Sequence, residues 1–307
     1  MKYSYFFTKM QSLYQYILEK KSINFGSAKS NYGQCIILAG GPGSGKGYVK
    51  DHRILADFKS IDVDKLKEMY MKLQEKGKID DPKKYDLGNS KDVGELHQKV
   101  KQHGWKNKQR EHFWKEHQGG EHLPNIVWDM VSDDIKDIEE IIKYAKPIGY
   151  NVTIVWVCCN MDTAREGNQK RDRHVDDEVI VKGHKGAYKT MMGLFDNKYP
   201  EVNKSIDNAW IAFSPGYGRM LDKDYKMDPV IKIKKDDNGN FDFEQKSMVD
   251  HFLKEQQPKD PDFDKKVAAE KERKKKISTA KANESLEEQN NSFLGILIQE
   301  IENEILS

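Results

Sequence analysis

The chain carries little net charge and no long apolar run. Its 52 Lys and Arg stand against 50 Asp and Glu, a formal net charge of +2 over 307 residues. A dedicated nucleic-acid binder carries a strong basic excess, so this balance argues against one. No stretch approaches the ~18 apolar residues of a membrane-spanning helix. The aromatic N-terminus does not read as a secretory signal, so no membrane partner is expected. Cysteine is scarce: Cys35, Cys158 and Cys159, two of them adjacent and all in predicted buried strands. That pattern makes no disulfide framework and suits a reducing cytoplasm, the expected compartment. No internal repeat is evident.

What the chain does have is concentrated in residues 35–50, CIILAGGPGSGKGYVK. An apolar run, Cys35 to Ala39, reads as a buried parallel strand. It enters a turn of Gly40, Gly41, Pro42, Gly43, Ser44 and Gly45 that ends on Lys46, followed by Gly47 and Tyr48. Residues with little side chain let backbone N–H groups converge on phosphate oxygens while a lysine adds a mobile positive charge. Gly40-x4-Gly45-Lys46 has Walker A spacing in the strand-then-loop context that the motif requires. Gly47 stands where most such loops carry a Ser or Thr for magnesium. The string GGPGSGKG resembles the adenylate kinase form of the loop, which also has glycine there, so acids elsewhere would hold the metal.

Around this loop the sequence alternates strands and helices. Strands are expected near 58–62, 125–129, 151–158 and 209–213. A hairpin, Val230–Lys235 with Phe241–Glu244, is expected around Asn238-Gly239. Helices are expected near 45–56, 65–75, 133–146 and through 161–199. Continuously apolar strands between helices indicate a three-layer α/β/α fold with a mostly parallel sheet, of the P-loop NTPase type. Residues 76–122 read as a polar helical insertion anchored by Trp105, Phe113 and Trp114; a loop segment this long is commonly a lid or binding element. Its histidines, His97, His103, His112, His117 and His122, are too irregularly spaced for a zinc site. The domains are therefore expected as an N-terminal helix and linker over 1–33, a P-loop domain over 34–256, and a tail over 257–307. The tail reads as a charged linker ending in an apolar helix suited to self-association or a protein partner.

Phosphoryl transfer needs more than a phosphate cradle: a group to orient the acceptor, cations for the equatorial oxygens, and exclusion of water. Asp62 and Asp64 follow the second strand, which places them at the ligand-binding edge of a doubly wound sheet, as a candidate metal ligand and a candidate base. The alternative is that both only cap the next helix. Arg165, Arg171 and Arg173 follow the most apolar strand and suit a lid (161–175) closing on phosphates, the alternative being a solvated basic helix. Asp129 ends another strand at the same edge as a candidate magnesium ligand, with Asp133 as a further acid or a helix cap.

These segments together resemble the zeta-toxin family of P-loop kinases, common in phage genomes, over about residues 34–190. The likeness rests on GGPGSGKG, on IDVDKLK, on Gly149-Tyr150 before NVTIVWVCC, and on the arginine-bearing segment after it. It implies Lys46 as the phosphate lysine, Asp64 as the base, and Arg165, Arg171 and Arg173 as the arginines. It also implies ATP and Mg2+ as donor and cofactor, a hydroxyl acceptor, and a host cytoplasm were the chain phage-encoded. Gly47, the Asp129-Met130-Val131 segment and the 76–122 insertion depart from the family pattern, so a sugar-nucleotide acceptor does not carry over. The expected activity is an ATP-dependent phosphotransferase acting on a small-molecule or nucleotide-like hydroxyl. The alternatives are an ATP-binding scaffold working through its terminal helices, or a polynucleotide kinase.

Overall fold

A computed structural model describes residues 33–54, 58–116, 123–171, 174–221 and 228–255, with scattered positions between 261 and 272. The expected N-terminal helix and the apolar terminal helix lie outside the described residues.

The strands form where the sequence is continuously apolar. β1 (Gln34–Ala39) is buried along its whole length. It pairs in parallel with β3 (Ile126–Met130) on one side and β4 (Asn151–Cys158) on the other. β5 (Asn208–Phe213) pairs in parallel with β4. β6 (Val230–Lys235) and β7 (Phe241–Asp242) add on antiparallel, and β2 (Lys59–Asp62) lies beyond β3. The seven-stranded order is β2-β3-β1-β4-β5-β6-β7. Helices alternate with the strands, giving the mostly parallel three-layer α/β/α architecture read from the sequence.

Ile36, Leu38, Val127, Val155, Val157 and Trp210 form one apolar cluster across the sheet. Each such side chain, fully buried, contributes about 1.5–3 kcal/mol, which fixes the register. Leu38 stands opposite Asp129, and Ala39 opposite Met130 and Trp156. The carboxyl ends of β1 and β3 are thereby level, and β4 runs two residues further, to Cys158. The chain leaves β1 and β4 in opposite directions, so the crevice beyond their ends is the topological position where ligands bind in open α/β sheets.

The helices are α1 (Lys46–His52), α2 (Val63–Glu75), α3 (Ser90–Gln102), α4 (Trp105–Glu116), α5 (Ile135–Ala145), α6 (Met161–Gln169), α7 (Asp177–Phe195), α8 (Pro200–Ser205) and α9 (Lys246–Lys254). α5 buries Ile138, Ile141, Ile142 and Ala145 at helical spacing. Its cap is Asp134, whose carboxylate accepts from Lys136 N at 3.0 Å, and not Asp133, for which a cap was one of the two expected roles. Gly239 (φ +82°) turns the β6–β7 hairpin, as expected. Asp236 accepts from the Asn238 and Asn240 amides at 2.9 and 2.8 Å and so templates that turn.

The chain divides into two compact units, 62–119 with 171–176 and 259–307 forming the second. There α2 begins at Val63 and not at Lys65, because the strand passes into the helix without a loop. The insertion folds as α3 and α4, which share one core with α2: Leu66, Met69, Tyr70 and Leu73 of α2 pack with Leu96, Val100 and Trp105. Trp114 is buried as expected. Aromatic residues supply the apolar area that the segment lacks in aliphatics.

Candidate active site

The apolar strand β1 delivers the chain to Gly40 at the carboxyl edge, and the glycine-rich loop turns back into α1. Gly43 sits at φ +77°. A side chain there would run into the Ala164 carbonyl of α6, so the position accepts glycine alone on two counts. α6 presses on the loop with a flat face, burying Thr163, Ala164, Gly167 and Asn168. Its entry is set by Asn160, whose side-chain oxygen accepts from Thr163 N at 2.8 Å. Gly40 N donates to Val131 O at 3.3 Å, tying the start of the loop to the segment after β3.

Lys46 curls back over this loop. Its ammonium donates to Gly40 O at 2.7 Å and Gly41 O at 3.2 Å. Asp129 Oδ1 stands 3.8 Å from the same nitrogen, both side chains mostly buried, at 9% and 17% exposure. In that half-dry setting the two charges attract more strongly than in water. α1 has no acid in its first turn, so the helix itself sets no negative charge against an incoming anion. A side chain at Gly47 would meet nothing within 4 Å. Tyr48 is exposed and stacks on His52, ring centroids 4.4 Å apart.

The other expected residues are distributed differently. Arg165 makes a bidentate pair with Asp177, at 2.6 and 3.0 Å. That carboxylate raises the Arg165 pKa, and the guanidinium lowers that of Asp177. Arg165 is thus engaged by the first residue of α7 and not by the loop. Asp62 closes β2 and Asp64 lies in the first turn of α2, their side chains outside the described residues. Arg171 follows α6 in a bend of the second unit, and Arg173 falls outside the described residues. Among the expected residues whose side chains are described, the fold brings together the loop, Lys46 and Asp129.

Two features escaped the sequence reading. The segment after β5, Ser214 to Arg219, folds against the site: the Ser214 hydroxyl would obstruct any side chain at Gly45, and Thr163 donates to Pro215 O at 3.3 Å. Lys170 lies 4.9 Å above the exposed Tyr217 ring. Ser-Pro-Gly-Tyr-Gly directly after an apolar strand was the available signal. The second is His184 of α7, whose Nε2 lies 2.8 Å from Pro42 O. Burial, with the Lys46 charge as a smaller cause, holds its pKa below the ordinary value against that hydrogen bond. A pocket of about 230 Å3 opens beside it, lined among others by Gly41, Cys159, Asn160, Lys185 and Tyr188. The Cys159 thiol there is pushed up to about 12 by burial, which leaves it unreactive.

The chain matches no protein-family model and no curated protein. Among solved structures it is similar to the AvrRxo1-ORF1:AvrRxo1-ORF2 complex with sulphate ions (TM-score 0.45, 12% identity, 80% of this chain and 72% of that one). The same complex with ATP gives a TM-score of 0.47 and 13% identity over 80% and 73% of the two chains. The PezAT chromosomal toxin–antitoxin system of Streptococcus pneumoniae gives 0.38 and 12% over 67% and 77%. The chemistry is therefore read from this chain's own residues.

Proposed function

We propose that the chain is an ATP-dependent phosphotransferase that moves the γ-phosphate of a nucleoside triphosphate to a hydroxyl of a small-molecule or nucleotide-like acceptor. The observation that carries this reading is the loop geometry. A buried strand feeds a glycine turn with its lysine folded inward, and an acid stands at the same level on the adjacent parallel strand. An anion entering the loop offers Lys46 a charged acceptor in place of the Gly40 and Gly41 carbonyl oxygens, so the ammonium swings onto the phosphates. Asp129 then loses its cationic neighbour and needs another.

That requirement, and the all-oxygen donor set, fit a magnesium ion held by Asp129 together with phosphate oxygens and water. When bound, the ion neutralises the phosphate charge that builds up during transfer. Asp62 is the second candidate ligand, and Asp64, in the first turn of α2, is the group assigned to orient and deprotonate the acceptor hydroxyl. Arg165, Arg171 and Arg173 are assigned to the transferring phosphoryl group; Arg165 must first leave Asp177.

A transfer assay with γ-labelled ATP across a set of hydroxylated metabolites, run on the wild-type chain and on Lys46→Ala, tests the reading. Label should pass to an acceptor with the wild type alone. Equal labelling by both, or label appearing only as inorganic phosphate across the whole set, contradicts it.

A further inference from the structure

α7 approaches the phosphate loop more closely than an ordinary helix surface allows. Gly183 and Gly186 interrupt it, each costing about 1 kcal/mol relative to alanine in a helix interior. Both lie where a side chain would collide. A Cβ at Gly183 would stand 2.7 Å from Pro42 Cδ and 3.4 Å from Val131 Cγ1, and one at Gly186 would run into Asp133. Between them His184 lies against the loop, and its ring fills the space that a side chain on Gly41 would need. Its Nε2 is 2.8 Å from the Pro42 carbonyl. A carbonyl oxygen only accepts, so the imidazole proton sits on Nε2 and the ring donates. Val131, whose Cγ1 a side chain at Gly183 would also meet, accepts from Gly40 N. The loop is therefore held at its first residue by the segment after β3 and at its crest by α7.

We propose that His184 is a positioning residue for phosphate binding: its Nε2–H holds the Pro42 carbonyl toward α7 and so preserves the curvature in which the loop amides converge on an anion. A carbonyl free to rotate toward the phosphates would present them with a negative dipole and widen the turn. Its consequence for ATP rests on the kinase reading; the clamp itself does not. Gly183 serves the same contact, since a side chain there would meet Pro42, and Gly186 lets the helix pass Asp133.

The test uses the full chain as wild type, His184→Phe and His184→Gln. Phenylalanine fills the ring volume without a donor, whereas glutamine keeps an N–H at similar reach. Amide hydrogen exchange over residues 40–46 without nucleotide reads the clamp, and calorimetry with MgATP reads its consequence. His184→Phe should exchange about tenfold faster over the loop and bind MgATP about tenfold more weakly, the effect of one buried hydrogen bond. His184→Gln should recover most of both, with the thermal midpoints of the two variants alike. Unchanged loop protection in His184→Phe, or equal impairment by Phe and Gln, overturns the proposal. Were wild type to bind no MgATP, the kinase reading would fail, while loop exchange would still decide for or against the clamp.

Discussion

At Lys46 the ammonium donates to two carbonyls of its own loop, with the Asp129 carboxylate 3.8 Å away. Replacing it by alanine removes a charge-assisted phosphate contact and should weaken MgATP binding about 10- to 100-fold. Asp129→Asn should spare binding of nucleotide without metal while raising the magnesium concentration needed for transfer. Gly47 offers the opposite experiment. It is exposed and open space surrounds its missing side chain, so Gly47→Ser should fold with stability unchanged to within about 0.5 kcal/mol. By restoring the usual hydroxyl ligand it should lower the magnesium requirement in the same assay; an unchanged metal titration would show that the loop does not use that position. The motif residues were legible because a phosphate loop is written in consecutive residues. His184 was not, since its partner Pro42 lies 142 positions away and only the helix glycines hinted at a close approach.

At the scale of elements, α6 and α7 meet through Arg165 and Asp177. Both side chains are substantially exposed, at 44% and 59%, so the pair holds the arginine weakly. Asp177→Asn should tighten MgATP binding two- to threefold, and Arg165→Ala should abolish that gain; no change in the single variant would remove Arg165 from the phosphate site. In the second unit, Asp81 accepts from Tyr70 and Tyr85, both at 2.8 Å, and from Lys83 N at 3.1 Å, with Lys99 Nζ 3.2 Å away. The tyrosine hydroxyls, first among these contacts, hold its pKa well below the usual carboxylate range against the opposing effect of burial. A folded-state pKa below the unfolded value of about 3.9 means that this stabilisation is present above that pH and is lost as pH falls through the folded pKa. Asp81→Ala should cost about 1–3 kcal/mol at pH 7 by stranding those donors. The gap from wild type in urea unfolding should narrow below about pH 4. The helices of this unit were legible from sequence, but not this network, because polar partners scattered over 70–99 carry no periodic signature. The start of α2 was misplaced for a related reason: the short-range pattern DVDK permits a turn or a helix, and packing of Leu66, Met69 and Tyr70 decides.

For the molecule as a whole, the apolar runs that become β1, β3, β4 and β5 and the mostly parallel sheet were legible in the sequence, whereas the order β2-β3-β1-β4-β5-β6-β7 was not, because neighbouring strands are chosen by packing between distant segments. The antiparallel hairpin was visible in its Asn-Gly turn. Charge balance works at this scale too. With a net charge of +2, affinity for an anionic ligand has to come from a focused site and not from a diffuse basic surface. Removing residues 257–307 should therefore leave phosphoryl transfer intact, whereas a scaffold working through that tail would lose its partner. The most direct measurement is a calorimetric titration of MgATP into the full chain and its Lys46→Ala variant. Saturable one-to-one binding by wild type, weakened at least about tenfold in the variant, is the expected result; no binding by wild type, or equal binding by both, would contradict the phosphate-loop account.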